Sequence, residues 1–166
     1  MTVFISQVQI DDESAFLSAV SQSRDLFEDW VDPPSSTEGF AEHLAKYSSD
    51  NSFSYLARNE QNELIGCINI SNIVYGAFQS AFLGYYAFSP HSGKGLMKKA
   101  LRLVISEAFD QHQLHRLEAN IQPDNLNSIA LVRSLGFRLE GHSLRYLKIA
   151  GQWSDHDRYA ITVEDW

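Results

Sequence analysis

Cysteine is nearly absent from this sequence, and several targeting features are missing altogether. A single cysteine in 166 residues excludes an intramolecular disulfide, which is typical of proteins from a reducing compartment. No apolar run approaches the roughly 20 residues that cross a bilayer. The first residues, MTVFISQVQIDDESAF, lack the basic and apolar regions of a signal peptide. We therefore expect a cytoplasmic protein without a membrane partner.

Positive charge is also scarce. The chain has 13 Lys and Arg against 21 Asp and Glu, a net charge of −8. Nucleic-acid binding needs clustered Lys and Arg, so no nucleic-acid partner is predicted. The charge suits a cationic partner, although many soluble proteins are acidic. The length and the 44% content of hydrophobic residues suffice for one core, so residues 1–166 are expected to form a single domain.

What the sequence does contain is a regular succession of strand and helix patterns. Apolar alternation predicts strands at 2–10, 80–88 and 115–123, and strand pairs at 52–73 and 138–165. Helical periodicity predicts helices at 11–23, 36–50, 93–111 and 124–137, and a short helix within 24–36 that ends at Pro33-Pro34. This order predicts an α/β fold, with a mixed, mostly antiparallel sheet of about seven strands flanked by helices.

The stretch YYAFSPHSGKGLMKKAL predicts a strand, a glycine turn and the start of a helix. Backbone N–H groups at such a helix start commonly bind phosphate. The turn is not a P-loop, which needs glycine where Phe88 stands and a hydroxyl residue at Gly95. It is not a dinucleotide turn, whose third glycine is Lys98 here. Gly93 and Gly95 still permit close approach to an anion, with Lys94 nearby, but they are equally compatible with a plain strand–helix connection.

The residues around this turn resemble a known family. Ser92–Met97 is similar to the pyrophosphate motif Arg/Gln-x-x-Gly-x-Gly/Ala of the GCN5-related N-acetyltransferases (GNAT), with Ser92, Gly95 and Met97 at its three defined places. Downstream, IQPDNLNSIALVRSLGF resembles the Asn-x-x-Ser…Gly-Phe helix of that superfamily. Gly-Lys-Gly-Leu-Met, Pro-Asp-Asn-x-x-Ser, RDLFEDWV and LRYLKIAGQWSDHDRYAI resemble the RimJ/RimL-type ribosomal-protein N-terminal acetyltransferases.

This resemblance implies a GNAT fold with splayed strands that form a coenzyme cleft, and acetyl-coenzyme A as the acetyl donor without a metal. The strand 116–122 would splay to admit the thioester. The coenzyme-binding residues would be the end of the preceding strand, the glycine turn and one helix-start asparagine, namely Ala87, Phe88, Ser89, Ser92, Gly93, Lys94, Gly95, Leu96, Met97, Lys98 and Asn125.

The implied reaction is direct attack of an amine on the thioester, which needs no enzyme nucleophile. Ser128 follows Asn125 by three residues on one helix and is expected to donate to the departing sulfur, or else only to bond solvent or backbone. Glu118 is expected to be the general base if it faces the cleft. The N–H near Phe88 is expected to stabilise the oxyanion. The tyrosine that commonly serves the superfamily as general acid is Val132 here.

The resemblance also bears on the acceptor. Arg24 and Trp30 are expected to line its cleft, which the segment 24–47 would shape. An α-amine, with a pKa of about 7.7–8.0 against about 10.4 for lysine, is more readily deprotonated near neutral pH. We expect the α-amine of a basic, ribosomal protein as acceptor. A small amine such as a polyamine, amino sugar or amino-acid-like compound, and a non-catalytic coenzyme-binding module, remain alternatives, as do the monomeric and homodimeric states.

Overall fold

A single seven-stranded sheet organises residues 1–166, all of which the computed structural model describes. The sheet order is β1-β2-β3-β4-β5-β7-β6, and every neighbouring pair is antiparallel except β4 and β5, which are parallel. The strands are β1 Val3–Gln7, β2 Phe53–Asn59, β3 Leu64–Val74, β4 Ser80–Ala87, β5 Arg116–Ile121, β6 Arg138–Ile149 and β7 Gln152–Thr162. The predicted α/β class and strand number are confirmed.

Helices cover both faces of this sheet. They are α1 Glu13–Gln22, α2 Arg24–Phe27, α3 Thr37–Lys46, α4 Leu96–Asp110 and α5 Leu126–Ser134, with short 3-10 turns at Ile10–Asp12 and Val163–Asp165. The core beneath α4 and α5 contains 26 buried residues. The opposite face packs nine buried residues beneath α1 and α3. Each large apolar side chain buried in these layers contributes about 1.5–3 kcal/mol, so packing rather than helix propensity holds the helices on the sheet.

Two predicted helices begin or end elsewhere, for identifiable reasons. The short helix predicted within 24–36 is a single turn, because Glu28 adopts a positive φ of 44° that ends it. The helix predicted from Gly93 begins at Leu96, because Gly93 and Gly95 have φ values of 76° and 74°. At the other end of α5, Gly136 has φ 96° and follows the helix as the predicted terminating glycine.

The parallel pair β4 and β5 is joined over only three residues. Ser80–Phe82 pair with Arg116–Glu118, and no pairing continues beyond them. The strands therefore separate from Leu83 and Ala119 onward. This opening in the middle of the sheet is where the candidate site lies.

Candidate active site

A cavity of about 450 Å³ lies where the glycine turn, the end of β4 and the start of α5 converge. We call it the first cavity. Its outer wall is formed by α2 and the residues that follow it, up to Val31. The helix α4 begins at this cavity, so the positive end of a 15-residue helix dipole faces it.

The glycine turn offers a set of backbone hydrogen-bond donors that no carbonyl group of the chain uses. The N–H groups of Ser92, Gly93, Lys94 and Gly95 donate to no carbonyl oxygen of the chain. A Cβ atom added at Gly93 or Gly95 would meet no atom within 4 Å, so open space adjoins the backbone. Free N–H groups at a helix start, with open space and Lys98 beside them, fit a phosphate or pyrophosphate group.

Most of the predicted coenzyme residues lie together in the first cavity. Its lining includes seven of them, Ala87, Ser92, Gly93, Gly95, Met97, Lys98 and Asn125. Lys94 is exposed on the turn but does not line the cavity. Leu96 packs its side chain into the core beneath α4, so only its backbone remains available to a ligand.

The prediction for Phe88 and Ser89 needs correction. The Phe88 N–H donates to the carbonyl oxygen of Ile65 at 2.8 Å, and its ring is fully buried. The Ser89 N–H donates to Ser23 Oγ at 2.8 Å. Neither residue lines a cavity. The Phe88 N–H is therefore committed to the sheet and is not available to an oxyanion.

Met97 stands where the family motif has a small residue, and the sheet accommodates it. A Cβ at Gly66 on β3 would collide with Met97 Sδ and with the carbonyl oxygen of Tyr86. The absence of a side chain at Gly66 therefore provides the space that Met97 fills. This contact fixes the first turn of α4 against β3, below the glycine turn.

Ser128 lies at the first cavity with a tyrosine that the sequence interpretation missed. Its N–H donates to Asn125 Oδ1 at 3.2 Å, which is the N-cap bond of α5. Its Oγ lies 2.6 Å from Tyr85 Oη. Burial raises the pKa of Tyr85 to about 12, so this hydroxyl is protonated at neutral pH. When Tyr85 donates to Ser128 Oγ, the serine proton is free to be donated into the cavity.

Glu118, the predicted general base, is not in the cleft. Its Oε2 accepts from Arg116 at 2.8 Å, and Arg116 also holds Glu140 at 2.8 Å. The Glu118 side chain is 13% exposed and lines none of the cavities. The condition for its role as general base, that its side chain faces the cleft, is therefore not met.

Of the two predicted acceptor residues, the structure brings only Trp30 to the site. Trp30 is half-buried and lines the first cavity and a third cavity of about 90 Å³. This third cavity occupies the opening between the separated ends of β4 and β5. Arg24 begins α2, is exposed and lines none of the cavities.

A second cavity of about 350 Å³ adjoins the first, and Val31, Tyr85 and Tyr86 line both. Its wall carries two carboxylates, Asp32 and Glu42, together with the charged side chain of Lys46 and the imidazole of His43. Tyr86 Oη is sealed from solvent without a hydrogen-bond partner, and burial raises the pKa of Tyr86 well above its usual value.

A buried polar network supports this second cavity. His43 Nε2 lies 2.8 Å from Ser54 Oγ, and Ser54 Oγ donates to Asn69 Oδ1 at 2.6 Å. Burial lowers the pKa of His43 to about 4, so its imidazole is neutral at physiological pH. The Tyr47 ring packs on it with 4.6 Å between ring centroids. The helix α3 is thereby fixed to the sheet beside the two carboxylates.

His91 is a second residue of the first cavity that sequence patterns did not indicate. It is 6% exposed, and neither ring nitrogen has a hydrogen-bond partner. Glu63 Oε2 lies 3.3 Å from Nε2 but outside hydrogen-bond geometry. The sequence feature that could have indicated His91 is its position directly before Ser92, the first residue of the family-like motif.

The structure contains neither a metal-binding cluster nor a membrane-spanning helix. No group of three or more His, Cys, Asp or Glu side chains could hold a metal ion. None of the helices combines the length and apolarity needed to cross a membrane. Cys67 is fully buried in the core beneath α1 and α3.

Comparisons with known proteins agree with this geometry. The family model of the acetyltransferase (GNAT) domain matches residues 2–138. A probable N-acetyltransferase of Bacillus subtilis, YjcK, is 33% identical over 173 aligned residues, covering 99% of this chain and 96% of that protein. The chain therefore belongs to the GNAT acetyltransferase family and is an acetyl-coenzyme A-dependent N-acetyltransferase.

Relatives within this family differ in their acceptors. The ribosomal protein uS5-alanine N-acetyltransferase of Escherichia coli is 42% identical over 107 residues, 64% of this chain and 55% of that enzyme. The spermidine N(1)-acetyltransferase of Vibrio cholerae is 24% identical over 148 residues, 88% of this chain and 85% of that enzyme. The solved structure of Mycobacterium smegmatis RimJ with CoA-disulfide has a TM-score of 0.88 and 28% identity, over 98% of this chain and 82% of that one.

Proposed function

We propose that this enzyme acetylates the N-terminal α-amine of a basic protein, with a ribosomal protein as the acceptor class. The observation that carries the proposal is the second cavity, which opens to solvent and adjoins the coenzyme cavity along Val31, Tyr85 and Tyr86. An extended peptide can enter such an open groove and bring its first amine to the thioester. The carboxylates of Asp32 and Glu42 suit a cationic segment.

In this proposal the first cavity holds acetyl-coenzyme A, which supplies the acetyl group as a thioester. The N–H groups of Ser92–Met97 and the charge of Lys98 bind its pyrophosphate, while Ala87 and Asn125 border the pantetheine arm. Ser128 donates a hydrogen bond to the sulfur, supported by Tyr85 at 2.6 Å. Trp30 borders the reacting end of the cleft between the first and third cavities.

The chemistry of the amine also favours an α-amine. Near neutral pH an appreciable fraction of an α-amine is uncharged, because its pKa is about 7.7–8.0, whereas a lysine amine at about 10.4 is almost fully charged. Similarity to an enzyme that acetylates the alanine of ribosomal protein uS5 supports the same class. The enzyme would act in the cytoplasm, as a monomer or homodimer.

The second candidate acceptor is a polyamine. Asp32 and Glu42 would attract its charged nitrogens as well as those of a peptide, and a spermidine acetyltransferase is among the relatives. A short polyamine would need both carboxylates near the attacked nitrogen. A peptide would need only the open groove, with its cationic side chains further along the chain.

Thiol release from acetyl-coenzyme A tests the proposal. The acceptors are basic peptides with a free N-terminus, the same peptides with a pre-acetylated N-terminus, spermidine and spermine, and an aminoglycoside. We expect release with the free peptides and none with the pre-acetylated ones. Release with polyamines alone would contradict the peptide assignment while leaving the acetyl-transfer site intact. Coenzyme binding without release on any acceptor would favour a non-catalytic binding module.

A further inference from the structure

The reaction needs a group that takes a proton from the acceptor nitrogen, and Glu118 is occupied by Arg116. We propose that His156 of β7 is this group. His156 is 3% exposed and lines the third cavity, in the opening between β4 and β5. The inference rests on the amine-acetylating site proposed above, but not on the identity of the amine.

The hydrogen bond of His156 determines which nitrogen carries its proton. Nδ1 lies 2.8 Å from the carbonyl oxygen of Ser154. A carbonyl oxygen can only accept, so Nδ1 is the protonated nitrogen of the neutral imidazole. The other nitrogen, Nε2, then carries a lone pair, and the only side-chain hydrogen bond of His156 is the one at Nδ1. His156 therefore presents a base, not a donor, at Nε2.

The sheet places this base on the face opposite the sulfur donor. Ile121 of β5 and Tyr159 of β7 are buried in the core beneath α4. Because successive side chains of a strand point to opposite faces, Asn120 and His156 lie on the other face, which carries the second cavity. Ser128 belongs to α5, which packs into the α4-side core. The amine and the departing sulfur can thus be served from opposite sides of one opening.

The charged groups around His156 leave it free to act. Its chain neighbours Asp155 and Asp157 face His142, at 3.7 Å from Nε2 and 2.7 Å from Nδ1 of that residue. On β6, the Tyr146 ring centroid lies 6.3 Å from that of His156. Arg158 follows on the same face of β7. The remaining polar side chains of the third cavity are uncharged, so no ion pair immobilises the imidazole.

Atoms and charges balance when the acetyl group is transferred with the help of His156 and Ser128. The lone pair of the amine nitrogen forms the N–C bond to the thioester carbonyl carbon, and the nitrogen gives one proton to His156 Nε2. The C–S bond breaks, and its electron pair leaves with the sulfur as a thiolate that accepts a hydrogen bond from Ser128 Oγ. Tyr85 supports Ser128 by its own hydrogen bond, and the proton held by His156 passes to solvent. No oxidant, reductant or metal is needed.

The tautomer can be measured without turnover. In long-range ¹H–¹⁵N NMR spectra of the ¹⁵N-labelled protein at neutral pH, the His156 signals are assigned by their loss in His156→Gln. We expect a protonated Nδ1 and an unprotonated Nε2. A protonated Nε2 in the free protein would overturn the proposal, since that nitrogen could not accept a proton.

Steady-state kinetics then test whether His156 acts as the general base. The acceptor is the amine that gives the fastest thiol release in the panel described above. We expect His156→Gln to lower kcat by about 100-fold, the scale of general-base catalysis, with the coenzyme A Kd from calorimetry changed by less than about 2-fold. The matched control is His142→Gln, a histidine of the neighbouring strand that lines no cavity, which should retain kcat. Wild-type kcat in His156→Gln, or a loss explained by coenzyme affinity, would overturn the proposal.

Chemical rescue separates proton transfer from packing. His156→Ala should recover kcat on addition of imidazole, in proportion to the unprotonated fraction of the added base. Equal inactivity with and without imidazole, in a variant that binds coenzyme A normally, would assign His156 a packing role instead. Failure of the wild-type protein to acetylate any amine would count against the proposed function, and the NMR result would still decide the tautomer.

Discussion

The sequence specifies the coenzyme cavity and the proposed acceptor cavity of this enzyme in different ways. The backbone donors and helix starts of the first cavity come from two continuous stretches, the glycine turn before α4 and the start of α5, which the end of β4 and the segment from α2 to Val31 complete. The second cavity is assembled from short pieces of the loop after α2, of α3, of β3 and of β4. Binding of a phosphate group requires a particular local backbone geometry, and this requirement produces a recognisable sequence motif. Binding of an acceptor requires only a surface of suitable shape and charge, and such a surface produces no sequence motif.

This difference means that the two sides should respond differently to substitution. A large or acidic side chain at the glycine turn blocks a set of N–H donors at once and should affect every acceptor equally. Changes at the carboxylates of the second cavity should affect acceptors according to their charge. The predictions below test this contrast, from the largest expected effect to the smallest.

Gly95→Glu should have the largest effect. The new carboxylate would lie among the free N–H groups of the turn, where like-charge repulsion of several kcal/mol weakens coenzyme A binding by at least about 100-fold. Calorimetry measures the Kd. The control is Gly76→Glu, which has nearly the same φ, 72° against 74°, and the same open surroundings but lies away from the site. Unchanged affinity in Gly95→Glu would refute the phosphate-binding turn.

Ser128→Ala should come next and should separate turnover from binding. Loss of a donor to the departing sulfur lowers kcat by about 100-fold, while the coenzyme A Kd should change by less than about 3-fold. Ser134→Ala is the control within the same helix, since Ser134 Oγ only donates to the Leu131 carbonyl oxygen. Full kcat in Ser128→Ala would remove this serine from the reaction.

Neutralising the acceptor side should give a smaller, acceptor-dependent effect. Glu42→Gln should raise KM for a basic peptide by about 2- to 5-fold, the range expected for losing one exposed charge contact, with kcat and coenzyme affinity maintained. Added salt should reduce the difference by screening. Glu38→Gln, on the same helix but outside the cavity, should leave KM unchanged. An equal rise in both variants would mean that only net charge matters.

A separate effect concerns the stability of the fold rather than turnover. The pKa of His43 falls from 6.5 to about 4 on folding. Between these values the unfolded chain binds a proton that the folded protein excludes, so the free energy of unfolding should decrease as pH falls from 6.5 towards 4. Urea titrations across this range measure the decline. His43→Gln should flatten the decline, and an unchanged slope in that variant would contradict the buried neutral imidazole.

Local patterns predicted most of the fold and the coenzyme side. Strand alternation, the glycines of the turn and Gly136 after α5 are visible along the chain because their geometry depends on near neighbours. Local patterns could not predict that the N–H groups of Phe88 and Ser89 donate to Ile65 and Ser23, because these partners lie far away in sequence. The Arg116–Glu118 ion pair could have been predicted from the sequence, since residues two apart share one face of a strand.

The residues that sequence patterns missed are those that the sheet brings together. Tyr85 meets Ser128 across 43 positions of sequence, and His156 reaches the same opening from β7. Tyr85 begins the stretch before the glycine turn, and His156 lies in the closing strand pair, but no local pattern indicates that either side chain reaches the opening. Their proximity follows from the early end of the β4–β5 pairing, a property of the assembled sheet.

The most direct test of the proposed acceptor is a competition in one tube. A basic peptide with an N-terminal alanine and an internal lysine is mixed with an equal concentration of spermidine, acetyl-coenzyme A and the enzyme, and fragment masses locate the acetyl group. We expect it on the peptide α-amine, with lysine and spermidine unmodified. An acetyl group on spermidine, with the peptide α-amine untouched, would contradict the central claim.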